Sequence, residues 1–85
     1  MKTLIIMYPT VERAAMAWRE TCGKYTSLIE KAYRSPFSIK LINGTIWYFR
    51  GETEGQRAFR GYHPSQIKHG VNFDIDREMG EEFSE

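Results

Sequence analysis

The sequence predicts a small α/β domain in which a sheet of about four strands packs in a single layer against one main helix. Three observations indicate this fold. Residues 2–8 are apolar and β-branched, residues 11–25 carry apolar side chains at helical spacing, and two strand-like runs flank Asn43-Gly44. With 85 residues the chain has room for one hydrophobic core.

The first strand and the main helix follow one another directly. Pro9 ends the strand, and Thr10 is placed to cap the helix because its hydroxyl can accept a free amide of the first turn. The apolar stripe of this helix consists of Val11, Ala14, Ala15, Trp18, Cys22 and Tyr25. A second short helix is predicted over residues 27–33, where Pro36 prevents a longer one.

The dipeptide Asn43-Gly44 predicts a β-hairpin with a two-residue type I′ turn, in which both residues have positive φ. Such a turn would place Lys40 opposite Trp47. Ile39, Leu41, Ile46 and Tyr48 would then share the core face of the hairpin, which we expect at an edge of the sheet. The other face would expose Trp47 and Phe49, beside Ser38 and Lys40, as a patch for a partner or a second copy.

The remainder of the chain is predicted to be a charged loop over residues 51–61 and a last strand over residues 71–75, parallel to the first strand. We therefore expect one α/β domain over residues 1–76 and an acidic C-terminal tail over residues 77–85. Met79 and Phe83 could form a weak amphipathic turn within that tail.

Charge is distributed unevenly along the chain, although the net charge is only +1. Before Asp74 there are eleven basic and five acidic residues, and from Asp74 onward there are one basic and six acidic residues. A basic body suggests an anionic partner, or an acidic tail that folds over the body. A solvated, frayed tail is the alternative.

Cysteine and histidine are too few for a disulfide or a structural zinc site, because the chain has one cysteine and two histidines. We expect no metal and no cofactor. The apolar run at the N-terminus is too short for a signal segment or a membrane span. These features predict a cytoplasmic protein without a membrane partner.

One resemblance covers residues 2–76. A strand followed by Tyr8-Pro9-Thr10 and a helix, a hairpin at Asn43-Gly44-Thr45, an Arg60-Gly61 segment and a strand ending in Asp resemble the ATPase core of phage large terminase subunits. The resemblance implies a P-loop motor fold and a phage origin, with action in the host cytoplasm.

The sequence departs from that family where the chemistry would occur. It contains no Gly-x-x-x-x-Gly-Lys-Ser/Thr loop to cradle phosphates, and the expected Asp-Glu pair reads Asp76-Arg77. Arginine cannot polarise a water as glutamate does, and it opposes a metal ion beside the aspartate. We therefore expect no nucleotide hydrolysis and no catalytic residues.

Two functions from different classes remain open. The first is a regulatory protein that docks on a host or phage machine, or on itself, and inhibits or modulates it. The second is a protein that binds single-stranded nucleic acid through basic side chains and aromatic rings that alternate along the chain. The predicted binding residues are the same for both: Lys40, Trp47, Phe49, Arg50, Arg57 and Arg60.

Overall fold

A computed structural model describes residues 2–54 and 61–84 of the chain. Within these residues five strands form one sheet and two α-helices pack on it. The strands are β1 (Thr3–Tyr8), β2 (Ile29–Arg34), β3 (Phe37–Leu41), β4 (Ile46–Gly51) and β5 (Ile67–His69). The helices are α1 (Val11–Lys24) and α2 (Ile75–Glu82).

The sheet is mixed, with the order β2-β3-β4-β1-β5. β1 is parallel to both of its neighbours, β4 and β5, whereas β3 is antiparallel to β2 and β4. The predicted α/β class, with one main helix on the sheet, is confirmed. The hairpin strands lie inside the sheet, so the expectation that they form its edge is wrong.

Helix α1 begins as the sequence predicts. The Thr10 hydroxyl accepts a hydrogen bond from the Arg13 amide at 3.2 Å. Ala14 and Trp18 are buried against the sheet, and the Trp18 indole Nε1–H donates to the Ser38 carbonyl at 2.9 Å. This bond fixes the helix against the middle of β3 without leaving the indole nitrogen unsatisfied.

The β3–β4 turn has three residues instead of two. Gly44 has a φ of 93°, but Asn43 does not have positive φ, so the turn is not type I′. The Gly44 amide donates to the Leu41 carbonyl at 2.9 Å, and the Leu41 amide donates to the Thr45 carbonyl at 2.8 Å. Both contacts are typical of a type I turn followed by a left-handed glycine.

This longer turn shifts the pairing by one residue, so Ile39 lies opposite Trp47 and Lys40 lies opposite Ile46. A shift of one residue reverses the faces of β4 relative to β3. Trp47 and Phe49 are therefore core residues, with 0% and 1% of their surface exposed. The predicted exposure of these two rings, and the predicted contact between Lys40 and Trp47, are both wrong.

The predicted second helix and last strand are also wrong. Residues 29–34 form β2, because they pair with β3 along its whole length. Residues 70–72 form a turn, residues 73–74 have no regular structure, and the strand beside β1 lies earlier, at β5. Asp74 caps α2 by accepting a hydrogen bond from the Arg77 amide at 3.1 Å, which places Asp76 in the first turn of a helix.

Helix α2 brings the acidic end of the chain into the folded body. Its Met79 is 1% exposed and belongs to the core cluster with Leu4, Leu41 and Trp47. The boundary expected after residue 76 falls inside this helix, so residues 77–82 are not a frayed tail. The acidic segment therefore folds over the body of the domain and is not a solvated, frayed tail.

No helix in the described part of the chain is long and apolar enough to cross a membrane.

Candidate binding face

The two faces of the sheet differ in what covers them. α1 and α2 lie over the face that carries Leu4, Ile6, Ile39, Leu41, Trp47 and Phe49. The opposite face, here named the outer face, is defined by the pairing register. Its members are Lys31, Tyr33, Ser38, Lys40, Ile46, Tyr48, Arg50, Thr3, Ile5, Met7, Ile67 and His69.

Part of the outer face is covered by the segment that precedes β5. The Tyr62 ring lies 6.2 Å from the Tyr48 ring, centroid to centroid, and Gln66 donates to the Thr3 carbonyl at 3.4 Å. Ile5, at the centre of β1, is 1% exposed. Among the described residues, the accessible part of the outer face therefore lies over β2, β3 and the part of β4 that Tyr62 does not cover.

A hollow of about 410 Å³ lies on this accessible part. It is lined by Tyr33, Ser35, Pro36, Ser38, Lys40, Ile46 and Tyr48. Tyr33 and Tyr48 both lie opposite Ser38, one on each side of β3. Two strand spacings separate the tyrosine backbones, which is about 10 Å, and Ser38 between them is buried, with 4% of its surface exposed. A planar group could stack on the Tyr33 ring, since this residue is 46% exposed.

The positive charges of the outer face lie beside this hollow. Lys40 lines it and forms a 3.1 Å ion pair with Glu30. Lys31 lies opposite Lys40, and its ammonium group is 5.9 Å from the Tyr33 ring centroid. Arg50 is two residues beyond Tyr48 on the same face, opposite Met7. Rings and cations thus alternate over three adjacent strands.

Negative charge is concentrated on the other side of the sheet. α2 carries Asp76, Glu78, Glu81 and Glu82 against one basic residue, Arg77. The acidic end seen in the sequence therefore lies on the helix side of the sheet, where Lys2 and Lys24 pair with three of its carboxylates, those of Glu78, Glu82 and Asp76. An anionic ligand is favoured on the outer face and disfavoured on the α2 side.

A second hollow, of about 490 Å³, lies on the helix side and has a different character. Its lining includes Glu20, Asp74 and Asp76 together with the Tyr8 ring. Burial, and secondarily the Glu20 carboxylate, raise the pKa of the Tyr8 phenol to about 12. Asp76 accepts hydrogen bonds from Lys24 and Tyr25, which lowers its pKa. This acidic hollow does not suit the anionic ligand that the basic residues favour.

The predicted binding residues are only partly brought together. Lys40 and Arg50 lie on the outer face, Trp47 and Phe49 are buried on the opposite face, and Arg57 and Arg60 lie outside the described residues. Sequence reasoning missed Tyr33 and Lys31, which it assigned to a helix, and Tyr48, which it assigned to the core. The sequence of β2 does not alternate between apolar and polar residues, so it carries no local signal that could have indicated a strand.

Comparison with protein-family models, curated proteins and solved structures gave no match for this chain. Within the described residues, no three histidine, cysteine, aspartate or glutamate side chains are grouped so that they could hold a metal ion.

Proposed function

We propose that this chain is a non-catalytic binding protein that holds single-stranded nucleic acid on the outer face of its sheet. The observation that carries the proposal is the arrangement of Tyr33 and Tyr48 on either side of Ser38, with Lys31 and Lys40 in the neighbouring row. Single-strand binding proteins combine cations for the phosphates with rings on which bases stack.

Accessibility and charge support this proposal. Tyr33 is 46% exposed, so a base can reach its ring without rearrangement of the core. Lys31 is also exposed, and the acidic helix α2 lies on the far side of the sheet. A strand of nucleic acid that crosses β2, β3 and β4 would lie on the side of the sheet away from the α2 carboxylates, and the Glu30 carboxylate on β2 is already paired with Lys40.

The test is fluorescence anisotropy with labelled single-stranded DNA and RNA of about 12 nucleotides at low salt, which matches the site sizes of single-strand binding folds. Tyr33→Ala should weaken binding by about 1–3 kcal/mol through lost stacking. Lys31→Gln should weaken it for all sequences and reduce the salt slope by about one.

Arg19→Gln is the matched control, because Arg19 is exposed on α1 and its loss changes the net charge equally. It should leave the affinity for the oligonucleotide almost unchanged. Equal weakening by Arg19→Gln and Lys31→Gln would mean that attraction is unspecific. No binding of any single strand at low salt would remove the proposal.

Docking on a protein partner is the second candidate, favoured by the apolar part of the same hollow, which includes Pro36 and Ile46. Trp47 and Phe49, which the sequence predicted to be exposed for such docking, are both buried. If the terminase resemblance reflects common origin, that partner would be a phage or host machine that the protein inhibits or modulates. Capture of a partner by the natural chain but not by Tyr33→Ala, without oligonucleotide binding, would favour this candidate.

A further inference from the structure

Another hollow, here named the end hollow, lies at the end of the sheet where β2 and β4 finish and β3 begins. Its volume is about 310 Å³. Its lining includes Arg34, Ser35, Pro36, Phe37, Phe49 and Arg50. Ser35 and Pro36 also line the hollow of the outer face, so the two hollows share a wall.

The end hollow is positively charged. Arg34 and Arg50 bring two guanidinium groups to it, and none of the described residues that line it is acidic. Arg34 is exposed and forms no ion pair with another described residue. Glu12 and Glu52, which neighbour lining residues in the sequence, are exposed and are not part of the described lining. An anion is therefore favoured here.

The two arginines reach the end hollow from opposite faces of the sheet. Arg34 lies opposite Phe37, which packs on Trp18 on the helix side, whereas Arg50 belongs to the outer face. Two strand spacings, about 10 Å, separate the backbones of β2 and β4. Long side chains that start this far apart can converge on a group between them, and a guanidinium group binds two phosphate oxygens in parallel.

The rest of the lining is mainly apolar and closes the end hollow toward the helix. Phe37 and Phe49 belong to the apolar core or pack against it. A Cβ at Gly51 would lie 2.5 Å from the Val11 nitrogen, so the end of β4 packs directly against the start of α1. A strand that enters from the outer face meets this wall, and attraction between charges is stronger beside apolar groups than in open water.

We propose that the end hollow binds the terminal phosphate of a single strand whose last base stacks on Tyr33. This inference rests on the proposed function and adds the part of the strand that is recognised, an end with a phosphomonoester. Tyr33 and Arg34 are consecutive in β2 and line adjacent hollows, so one nucleotide can occupy both. A terminal phosphate carries nearly two negative charges at neutral pH, whereas a phosphate inside the strand carries one. Two guanidinium groups match the terminal phosphate better.

Competition against a labelled strand in fluorescence anisotropy tests the inference. The competitors share one sequence of about 12 nucleotides and carry a 5′-phosphate, a 3′-phosphate or hydroxyl groups at both ends. A phosphate at one end should tighten binding about tenfold or more over the hydroxyl-ended strand. The preferred end gives the direction of the strand on the sheet. Each phosphate blocked as its methyl ester, which has a single charge, should bind like the hydroxyl-ended strand.

Three variants locate the effect. Arg34→Gln should reduce the preference to about threefold or less, because one of the two guanidinium groups is lost. Arg34→Lys should restore only part of it, since an ammonium group does not bind two oxygens in parallel. Arg19→Gln is the matched control, because it removes the same charge from exposed α1 and should leave the preference unchanged.

The possible failures are distinct. Strands that bind equally with and without a terminal phosphate would overturn this inference and leave the proposed function in place. Equal tightening by the phosphate and by its methyl ester, or a preference that survives Arg34→Gln unchanged, would also overturn it. Failure of every strand to bind at low salt would remove both proposals.

Discussion

The carboxylate of Glu82 accepts a 2.7 Å hydrogen bond from the ammonium group of Lys2, which joins the last helix to the start of the first strand. The same carboxylate accepts hydrogen bonds from Asn43 at 3.0 Å and from Thr45 at 2.8 Å. Its side chain is 4% exposed. One acidic residue thus connects the N-terminal end of β1, the β3–β4 turn and α2.

Replacing Glu82 by glutamine should lower the free energy of unfolding by about 1–3 kcal/mol, because the amide nitrogen that replaces one carboxylate oxygen cannot accept that oxygen's hydrogen bonds, and the charge that pairs with Lys2 is lost. Urea unfolding followed by circular dichroism measures the change. Glu81→Gln is the matched control: its side chain is 59% exposed, and the change should stay within about 0.5 kcal/mol. Equal effects would mean that the Glu82 contacts do not stabilise the fold.

Acidification should destabilise the protein through the same group. Burial alone raises the pKa of Glu82, but hydrogen bonds from Lys2, Asn43 and Thr45 outweigh it, and the pKa lies below its ordinary value. A carboxyl whose pKa is depressed on folding stabilises the native state above its unfolded pKa, about 4.3. That contribution is lost as the pH falls from there through the folded pKa. Melting temperatures measured from pH 7 to 3 should fall less steeply for Glu82→Gln.

Trp47→Ala should unfold the domain or nearly so. The side chain is fully buried at the centre of the sheet and contacts the Phe73 ring edge-on at 5.8 Å. Large-to-small changes of this kind cost about 3–5 kcal/mol, which is comparable to the whole stability of a small domain. Trp47→Phe should retain the fold, since the indole Nε1–H has no hydrogen-bond partner among the described residues. A stable, folded alanine variant would show that the ring is not part of the core.

Gly44→Ala and Gly80→Ala should change stability in opposite directions. In the part of the chain that the structure describes, an added Cβ would meet no atom within 4 Å at either position, so the backbone conformation distinguishes the two sites. Gly44 has a φ of 93°, which strains any other residue by about 1–3 kcal/mol. Gly80 lies inside α2, where alanine is favoured by about 0.5–1 kcal/mol. Thermal unfolding of both variants gives the comparison, and stabilisation by Gly44→Ala would contradict the turn assigned here.

Sequence reasoning was correct where local signals and burial agree. The strand β1 and the capped helix α1 are each specified by a continuous apolar pattern and a clear boundary at Pro9 and Thr10. It was wrong about the β4 faces because one residue, Ile42, belongs to the turn and not to the strand. The two large rings could have indicated the correct register, since Trp47 and Phe49 together bury more apolar surface than Ile46 and Tyr48.

The elements that were missed depend on distant parts of the chain. β2 has a sequence that suits helix or strand equally, and its partner β3 decides the outcome. α2 did carry a local signal, since Asp74 is a good cap and Ile75, Met79 and Phe83 are spaced for one helix face. The alternation of Val71, Phe73 and Ile75 was instead interpreted as a strand. The outer face could not be predicted because Tyr33 lies in a strand that was predicted as a helix, and Tyr48 lies in a strand whose two faces were reversed.

The place of β1 in the sheet has a consequence for how the chain folds. The first strand to be synthesised lies between β4 and β5, which are among the last. The β2-β3-β4 meander has only local connections and can form early, whereas β1 must wait for partners about 40 to 60 residues away. Pairing of β1 with β4 and β5, followed by docking of α2 on the core through Met79, should therefore be the slow and final stage of folding.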